Sequence, residues 1–494
     1  MNQYTLLALL AILSTGLSCS GAILKREDPG VRQAKIPTEA EWIRRVLEST
    51  EKNVELIEAS TVLASKLTGV ERPYSTILSV LDASIRKAKE KTQGPASGEE
   101  KIRALNEFVL PAINASLKQE LSWLRDAYAS ELGPCVPHSL LYLVAADALA
   151  LPLELVSPPG HVYLRYTGEG RKRNIEATDV GQDLSEAEYL ERLAKLPSPT
   201  TPLPGEMKDA TGFFTAVSRR QFVAELLVCR ASKGPPDSRE RDLVTATRIA
   251  PDLALAHRQL AMHYVRLSKS ELGEECFSRA IELAPRWPAL LQLRGVLRAH
   301  SGQLKSGLED IEQAIRYAPR SVDLQNVRAT ILTKLGRVQD AIETWSTSIQ
   351  LQPGQVDALR KRAYLYQAVS KEYTKAIADL TEVIAKGKPE PSDYHARGVC
   401  QGRIGDLDRS LDDLTKATVA SPDDATFWRD RGITQANMKR HAPAVEDLSK
   451  AIKLDPSNAA LYEFRARCYA SLGDEARWDA DFKKAKELRA KPKE

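Results

Sequence analysis

Six cysteines in 494 residues are too few and too scattered to staple a fold. Beyond Cys19 there remain Cys135, Cys229, Cys276, Cys400 and Cys468, an odd number at wide spacing, which is no disulfide framework. Charge of one sign is missing too. Seventy basic residues stand against 66 acidic ones, for a net charge of +4, so the chain lacks the basic stripe that nucleic acid requires. It has no Gly-rich phosphate loop and no His/Cys set at metal-ligand spacing, which excludes any motif-based case for a nucleotide, a metal or another cofactor. Beyond the N-terminal run Leu6–Leu13, no stretch is apolar for long, and that run falls short of the ~20 residues that span a bilayer. The hydrophobic content, 43%, is still enough for each part of the chain to bury a core.

Residues 1–22 read as an export signal, an apolar run followed by Ser14, Thr15, Gly16, Ser18, Ser20 and Gly21. Gly16-Leu17-Ser18-Cys19 partly matches the motif that precedes a lipidated cysteine. The expected localisation is therefore export, to a periplasm or to a membrane through a lipid on Cys19; cleavage after Ser20 or Gly21 is the alternative. Residues 23–38 read as a tether.

The second half of the chain is periodic. Prolines fall at 251, 285, 319, 353, 389, 422 and 456, in steps of 34, 34, 34, 36, 33 and 34. Seven units begin at Ala254, Pro288, Val322, Val356, Pro391, Ala425 and Ala459. Position 8 of each is small (Ala261, Gly295, Ala329, Ala363, Gly398, Gly432, Ala466) and position 24 is large and apolar, from Phe277 to Phe482. Small residues let two helices approach, and the large one fills the gap to the next unit. The pattern over 240–488 resembles the tetratricopeptide repeat, with one extra residue near Lys371 absorbed in an inter-helix turn. Position 7 is arginine in six units and position 23 aspartate in five, which predicts paired charges between helices or neighbouring repeats. Contacts to a protein or peptide partner are expected on the concave face from the first helices, at Asn326, Arg360, Tyr364, Gln367, Arg403, Arg429 and Asn437, with Lys334 and Arg467 nearby. Their mildly basic mix suits an acidic or C-terminal peptide.

Residues 39–232 are expected to form an α/β (α+β) domain, with 233–239 as a linker and the all-α solenoid over 240–494. Helical patterns run from Glu39 to about Trp123, and Ser97 with Glu100 resembles a capping box. Leu153–Val156 and His161–Tyr166 read as strands, and Arg171–Glu176 as their antiparallel return. This region holds the one chemical constellation. Cys135 precedes a helix, whose dipole favours thiolate; His161 on a strand can take its proton; Glu176 on the next strand can hold the imidazole. A type II′ turn at Gly168-Glu169 would give pairs summing to 337 and set His161 directly opposite Glu176. Asp179 is the weaker third member.

The strings Glu55-Leu-Ile-Glu-Ala-Ser60, Ile102-Arg-Ala-Leu-Asn-Glu-Phe108, Gly133-Pro-Cys135, Ser139-Leu-Leu-Tyr-Leu143, Leu151-Pro-Leu153 and Pro159-Gly-His-Val-Tyr-Leu-Arg-Tyr166 resemble the bacterial SirB-type transglutaminase-like domain. The resemblance spans about residues 40–230. It implies a papain-like transglutaminase core, with Cys135, His161 and Glu176 at its triad positions and tetratricopeptide repeats following. Two departures stand out. Glu replaces Asp, and Gly133-Pro134-Cys135-Val136-Pro137 replaces the usual Gly-Asn-Cys-Leu-Ser. Pro137 disfavours helix at Val136, so the helix is expected to begin only at Pro137, leaving the thiol outside its first turn. The function favoured is binding of a protein or peptide by the repeats, with the first domain as a recognition module. The alternative is a protease, amidase or transglutaminase using the thiol.

Overall fold

The computed structural model describes residues 39–48, 63–64, 74–119, 135–157, 161–170, 172–178, 184–185, 188, 216–233, 236–387 and 389–490. Cys19, Asp179, the signal and the tether lie outside them. The chain divides into two units, residues 1–319 and 320–494. Among the described residues no helix is long and apolar enough to cross a membrane.

The first unit opens with helices α1 (Glu39–Glu48) and α2 (Tyr74–Lys91). Helix α3 (Gly98–Ala104) passes through a π turn at Leu105–Val109 into α4 (Leu110–Lys118). The capping box at Ser97 is present: its hydroxyl accepts from the Glu100 amide, and the Glu100 carboxylate accepts from the Ser97 amide at 2.8 Å. Helix α5 (Cys135–Ala148) is apolar nearly all round and buried along most of its length, as a central helix must be.

The sheet is small and antiparallel, in the order β3-β2-β1-β4. Its strands are β1 (Leu153–Val156), β2 (Tyr163–Tyr166), β3 (Arg173–Ile175) and β4 (Ala216–Val217), the last invisible in the sequence pattern at two residues long. The β2–β3 register differs from expectation. Leu164 faces Ile175 and Arg165 faces Asn174, so partners sum to 339. The left-handed residues are Glu169 (φ 57°) and Gly170 (φ 70°), the signature of a type I′ turn one residue further on than Gly168. A shift by two preserves which face each side chain takes.

Helices α6 (Arg219–Lys233) and α7 (Pro236–Ile249) follow. Residues 236–239, expected to be linker, are the first turn of α7. Proline is tolerated there because the first helical amides need no intrahelical partner. Arg230 on α6 clasps Asp242 on α7 through two hydrogen bonds of 2.9 and 2.6 Å, both side chains buried. One hydrophobic core runs from Trp42 through Phe222 and Leu243 to Leu260 in the first repeat.

The repeats are helix pairs. In the first unit these are α8 (Ala254–Arg266) with α9 (Ser270–Leu283) and α10 (Pro288–His300) with α11 (Leu304–Tyr317). In the second they are α12 (Val322–Lys334) and α13 (Val338–Leu351), α14 (Val356–Leu365) and α15 (Tyr373–Lys386), α16 (Pro391–Arg403) and α17 (Leu407–Ala420), α18 (Ala425–Asn437) and α19 (His441–Leu454), and α20 (Ala459–Ser471) and α21 (Glu475–Ala490). Position 8 is small for the expected reason: a Cβ on Gly295 would lie 2.9 Å from the Gly307 carbonyl oxygen. Position 24 is buried from Phe277 through Leu448, whereas Phe482 is exposed and stacks on Trp478. The extra residue of repeat four is taken up by a π turn at Tyr366–Ser370, followed by Lys371 in the left-handed region.

Candidate active site

Cys135 is the first residue of α5, not a residue ahead of it. Pro137 sits in the same first turn, where its missing amide breaks no helical bond. The thiol is thus at the positive end of a 14-residue helix, and it is buried. The helix is docked on the sheet beside the histidine: the Ser139 hydroxyl donates to the carbonyl of Val162, at 3.4 Å.

His161 lies two residues before β2 and Glu176 directly after β3. With the observed register, Glu176 falls opposite Tyr163, and His161 is its diagonal neighbour on the same face. Diagonal side chains must bridge a longer gap than directly paired ones, and glutamate has the extra methylene to do it. His161 Nε2 and Glu176 Oε2 are 2.6 Å apart. The other carboxylate oxygen accepts from the amide and the hydroxyl of Thr178, at 3.1 and 2.5 Å. Both oxygens are therefore occupied on a carboxylate whose side chain is 1% exposed.

Nearby cations are engaged elsewhere. Arg173 donates to Glu99 at 2.6 Å. Arg165 donates to the Tyr163 hydroxyl at 2.9 Å and to Asn174 at 3.0 Å. His138, close to Cys135 in sequence, is hydrogen-bonded to Asn114. Cys229 is buried on α6 as packing.

Electrostatics follow from this arrangement. Burial alone would lower the pKa of His161, but its hydrogen bonds to Cys135 and Glu176, and their charges, outweigh that and push it up to about 10. Burial would raise the pKa of Glu176; the hydrogen bond and charge of His161 and the bonds from Thr178 outweigh it, and the carboxyl is held below its ordinary value. Nε2 is taken by Glu176, which leaves Nδ1 for the sulfur. The imidazole is a bridge between a thiol and a carboxylate.

Residues 75–228 match the model of the transglutaminase-like superfamily, and residues 293–356, 401–459 and 459–492 match tetratricopeptide repeat models. The chain carries a transglutaminase-like domain followed by tetratricopeptide repeats. No curated protein matches it. Similar solved structures are repeat proteins. One from Parabacteroides merdae is 21% identical, covering 48% of this chain and 93% of its own, with a TM-score of 0.37. The C-terminal part of one from Cytophaga hutchinsonii is 16% identical over 47% and 95%, with a TM-score of 0.41. YrrB, described as a tetratricopeptide repeat protein with an unusual peptide-binding site, is 16% identical over 36% and 92%, with a TM-score of 0.33.

In the transglutaminase-like domain, then, the three candidate residues come together, and Thr178 joins them. Sequence reasoning missed Thr178, although a hydroxyl two residues beyond the carboxylate was the available signal. The expected contact residues of the repeats divide. Asn326 is bonded to Gln355 and Ser348, Arg360 to Asp393 and Glu390, and Arg429 to Asp430, so these three tie the repeats together. Tyr364, Arg403 and Asn437 are exposed and Gln367 is half-buried. Among the described residues no His/Cys/Asp/Glu group could hold a metal ion.

Proposed function

We propose that the chain is a thiol-dependent acyl-transfer enzyme acting on a peptide or protein, with the repeats recruiting it. The observation that carries this reading is the bridging imidazole, with Glu176 on one nitrogen and Cys135 left to the other. The Cys135 sulfur attacks an amide carbonyl, and His161 gives its proton to the leaving amine as the carbon–nitrogen bond breaks. A thioester on Cys135 results. Attack by water, with His161 as base, completes hydrolysis; attack by a second amine completes cross-linking. Glu176 keeps the ring oriented and balances the imidazolium. Residues 1–22 would direct export and Cys19 would carry a lipid, both outside the described residues.

A second reading is binding without chemistry. It is favoured by the exposure of Tyr364 (62%), a large aromatic side chain on the first helix of a repeat.

The two readings separate on the sulfur. Labelling of Cys135 by iodoacetamide at pH 6 should be roughly 100-fold faster than in His161→Ala, since an imidazolium beside the sulfur favours thiolate. A folded-state pKa raised to about 10 means that the imidazolium and its contribution to stability are complete below the ordinary 6.5 and lost as the pH rises through about 10. The advantage over His161→Ala should persist to that pH and then vanish. Equal rates at pH 6 would end the catalytic reading. The Cys135→Ala variant should lose all turnover and keep peptide binding.

A further inference from the structure

Arg258 is a buried guanidinium that the fold leaves without an acid. It stands at position 5 of the first repeat, on α8, and is 4% exposed. Its Nε and Nη1 have no hydrogen-bond partner. The group lies over the ring of Trp287, 5.6 Å from the centroid. Burial, with the repulsion of Arg266, lowers its pKa to about 10, so it is charged at neutral pH.

The other two arginines buried to this degree are satisfied. Arg230 has Asp242, and Arg165 has Tyr163 and Asn174. The repeat frame sharpens the contrast. Arg360 occupies position 5 of repeat four, and the next repeat supplies its acids: Asp393 at position 3, 2.8 Å away, and Glu390 just before the helix, 2.9 Å away. In the first repeat the same two places hold Leu290 and Trp287. Later position-5 residues also have partners: Asn326 has Gln355, His395 has Asp430 and Glu463 has Arg489. A frame that elsewhere closes on its own charge here presents a cation against an apolar and aromatic wall.

The surroundings are basic. Arg266 is itself lowered by burial and by Arg239, and His263 Nε2 also lacks a hydrogen bond. The acid among them, Glu240, lies 3.6 Å from His263 and 3.7 Å from Lys269. A desolvated cation without a counter-charge is strongly unfavourable, and a planar guanidinium matches a carboxylate with two parallel bonds. We propose that the first repeat is a carboxylate-binding site, in which Arg258 receives a peptide carboxylate against Trp287. This rests on the reading that the repeats recruit a peptide.

The test compares the thermal stability of the full chain with N-acetylglycine, its amide, or inorganic phosphate, at fixed ionic strength. N-acetylglycine at saturating concentration should raise Tm by about 1–2 °C, and the amide should not. Arg258→Met should lose the response while its ligand-free Tm stays the same or rises; Arg360→Met, whose arginine already has acids, should keep the response. An equal shift with the amide, a response that survives in Arg258→Met, or a ligand-free Tm lowered by that substitution would each overturn the site. A larger shift with phosphate would overturn the assignment to a peptide. A peptide held elsewhere on the repeats would still bind the Arg258→Met protein, so failure of this site is distinguishable from failure of recruitment. Labelling of Cys135 reports on the catalytic reading separately.

Discussion

Buried carboxylates occur in both parts of the molecule, and the two parts use them differently. In the repeats, five aspartates each receive a two-pronged arginine from the other helix of the same pair: Asp310 from Arg294, Asp379 from Arg362, Asp413 from Arg397, Asp447 from Arg431 and Asp481 from Arg465, all at 2.6–3.0 Å. The remaining nitrogen reaches back to a hydroxyl of the preceding helix, as Arg362 does to Ser346 and Arg465 to Ser449. Every valence is spent on the scaffold. In the transglutaminase-like domain, Glu176 meets a histidine instead. A ring with two nitrogens can be held on one side and work on the other, so the same buried negative charge there equips a site. Glu225 makes a third case: it is buried on α6 with Ser157 as its hydrogen-bond donor, at 2.7 Å, and burial raises its pKa to about 7.

The comparison can be broken first at the staple. Asp413→Ala strands Arg397, whose side chain is 15% exposed, and should cost about 3 kcal/mol in urea unfolding. The double variant Arg397→Met/Asp413→Leu should recover most of that loss. Failure to recover would mean that the pair is not the source of the cost.

Glu225→Gln tests the carboxyl that has no cation. A raised folded-state pKa means that the native protein holds its proton where the unfolded chain has lost it, so stability falls as pH rises from the ordinary 4.5 to about 7. The glutamine variant should lack that fall and exceed the parent by roughly 3 kcal/mol at pH 8. Parallel stability–pH curves would contradict it.

Thr178→Val removes one of the two donors holding the second oxygen of Glu176 and keeps the other. The His161-dependent labelling rate should drop about tenfold, one hydrogen bond's worth, and Thr178→Ser should restore it. A drop matched by an equal loss in global stability would make Thr178 structural alone.

The smallest effect belongs to the turns. Position 15 of every repeat, one residue later in repeat four, is left-handed: Ser268, Gly302, Gly336, Lys371, Gly405, Lys439 and Gly473. Lys439→Gly should therefore stabilise the protein by about 0.5–1 kcal/mol in thermal unfolding. Loss of stability there would show that the lysine side chain matters more than its backbone strain.

The sequence by itself determined the period, the helix pairs and the identity of the three site residues. Helix spacing repeats every 34 residues, and the chemistry of a thiol, an imidazole and a carboxylate is written in residue type. It also determined that His161 and Glu176 share a face, because face depends only on whether the register sum is odd, and 337 and 339 both are. Which of the two registers formed was decided by the turn, where Glu169 and Gly170 together take the left-handed conformation. Tertiary structure alone decided the rest. The Gly234-Pro235-Pro236 stretch reads as a break, yet Pro236 starts a helix because Asp242 and Leu243 are buried against α6. Asn326, Arg360 and Arg429 read as free for a ligand, yet the next repeat or a neighbouring side chain claims them. Arg258 reads like Arg360, and only the exchange of Asp393 and Glu390 for Leu290 and Trp287 leaves it without an acid. Residue type fixes what a group can bond to; the packed neighbours fix what is left for it to bond.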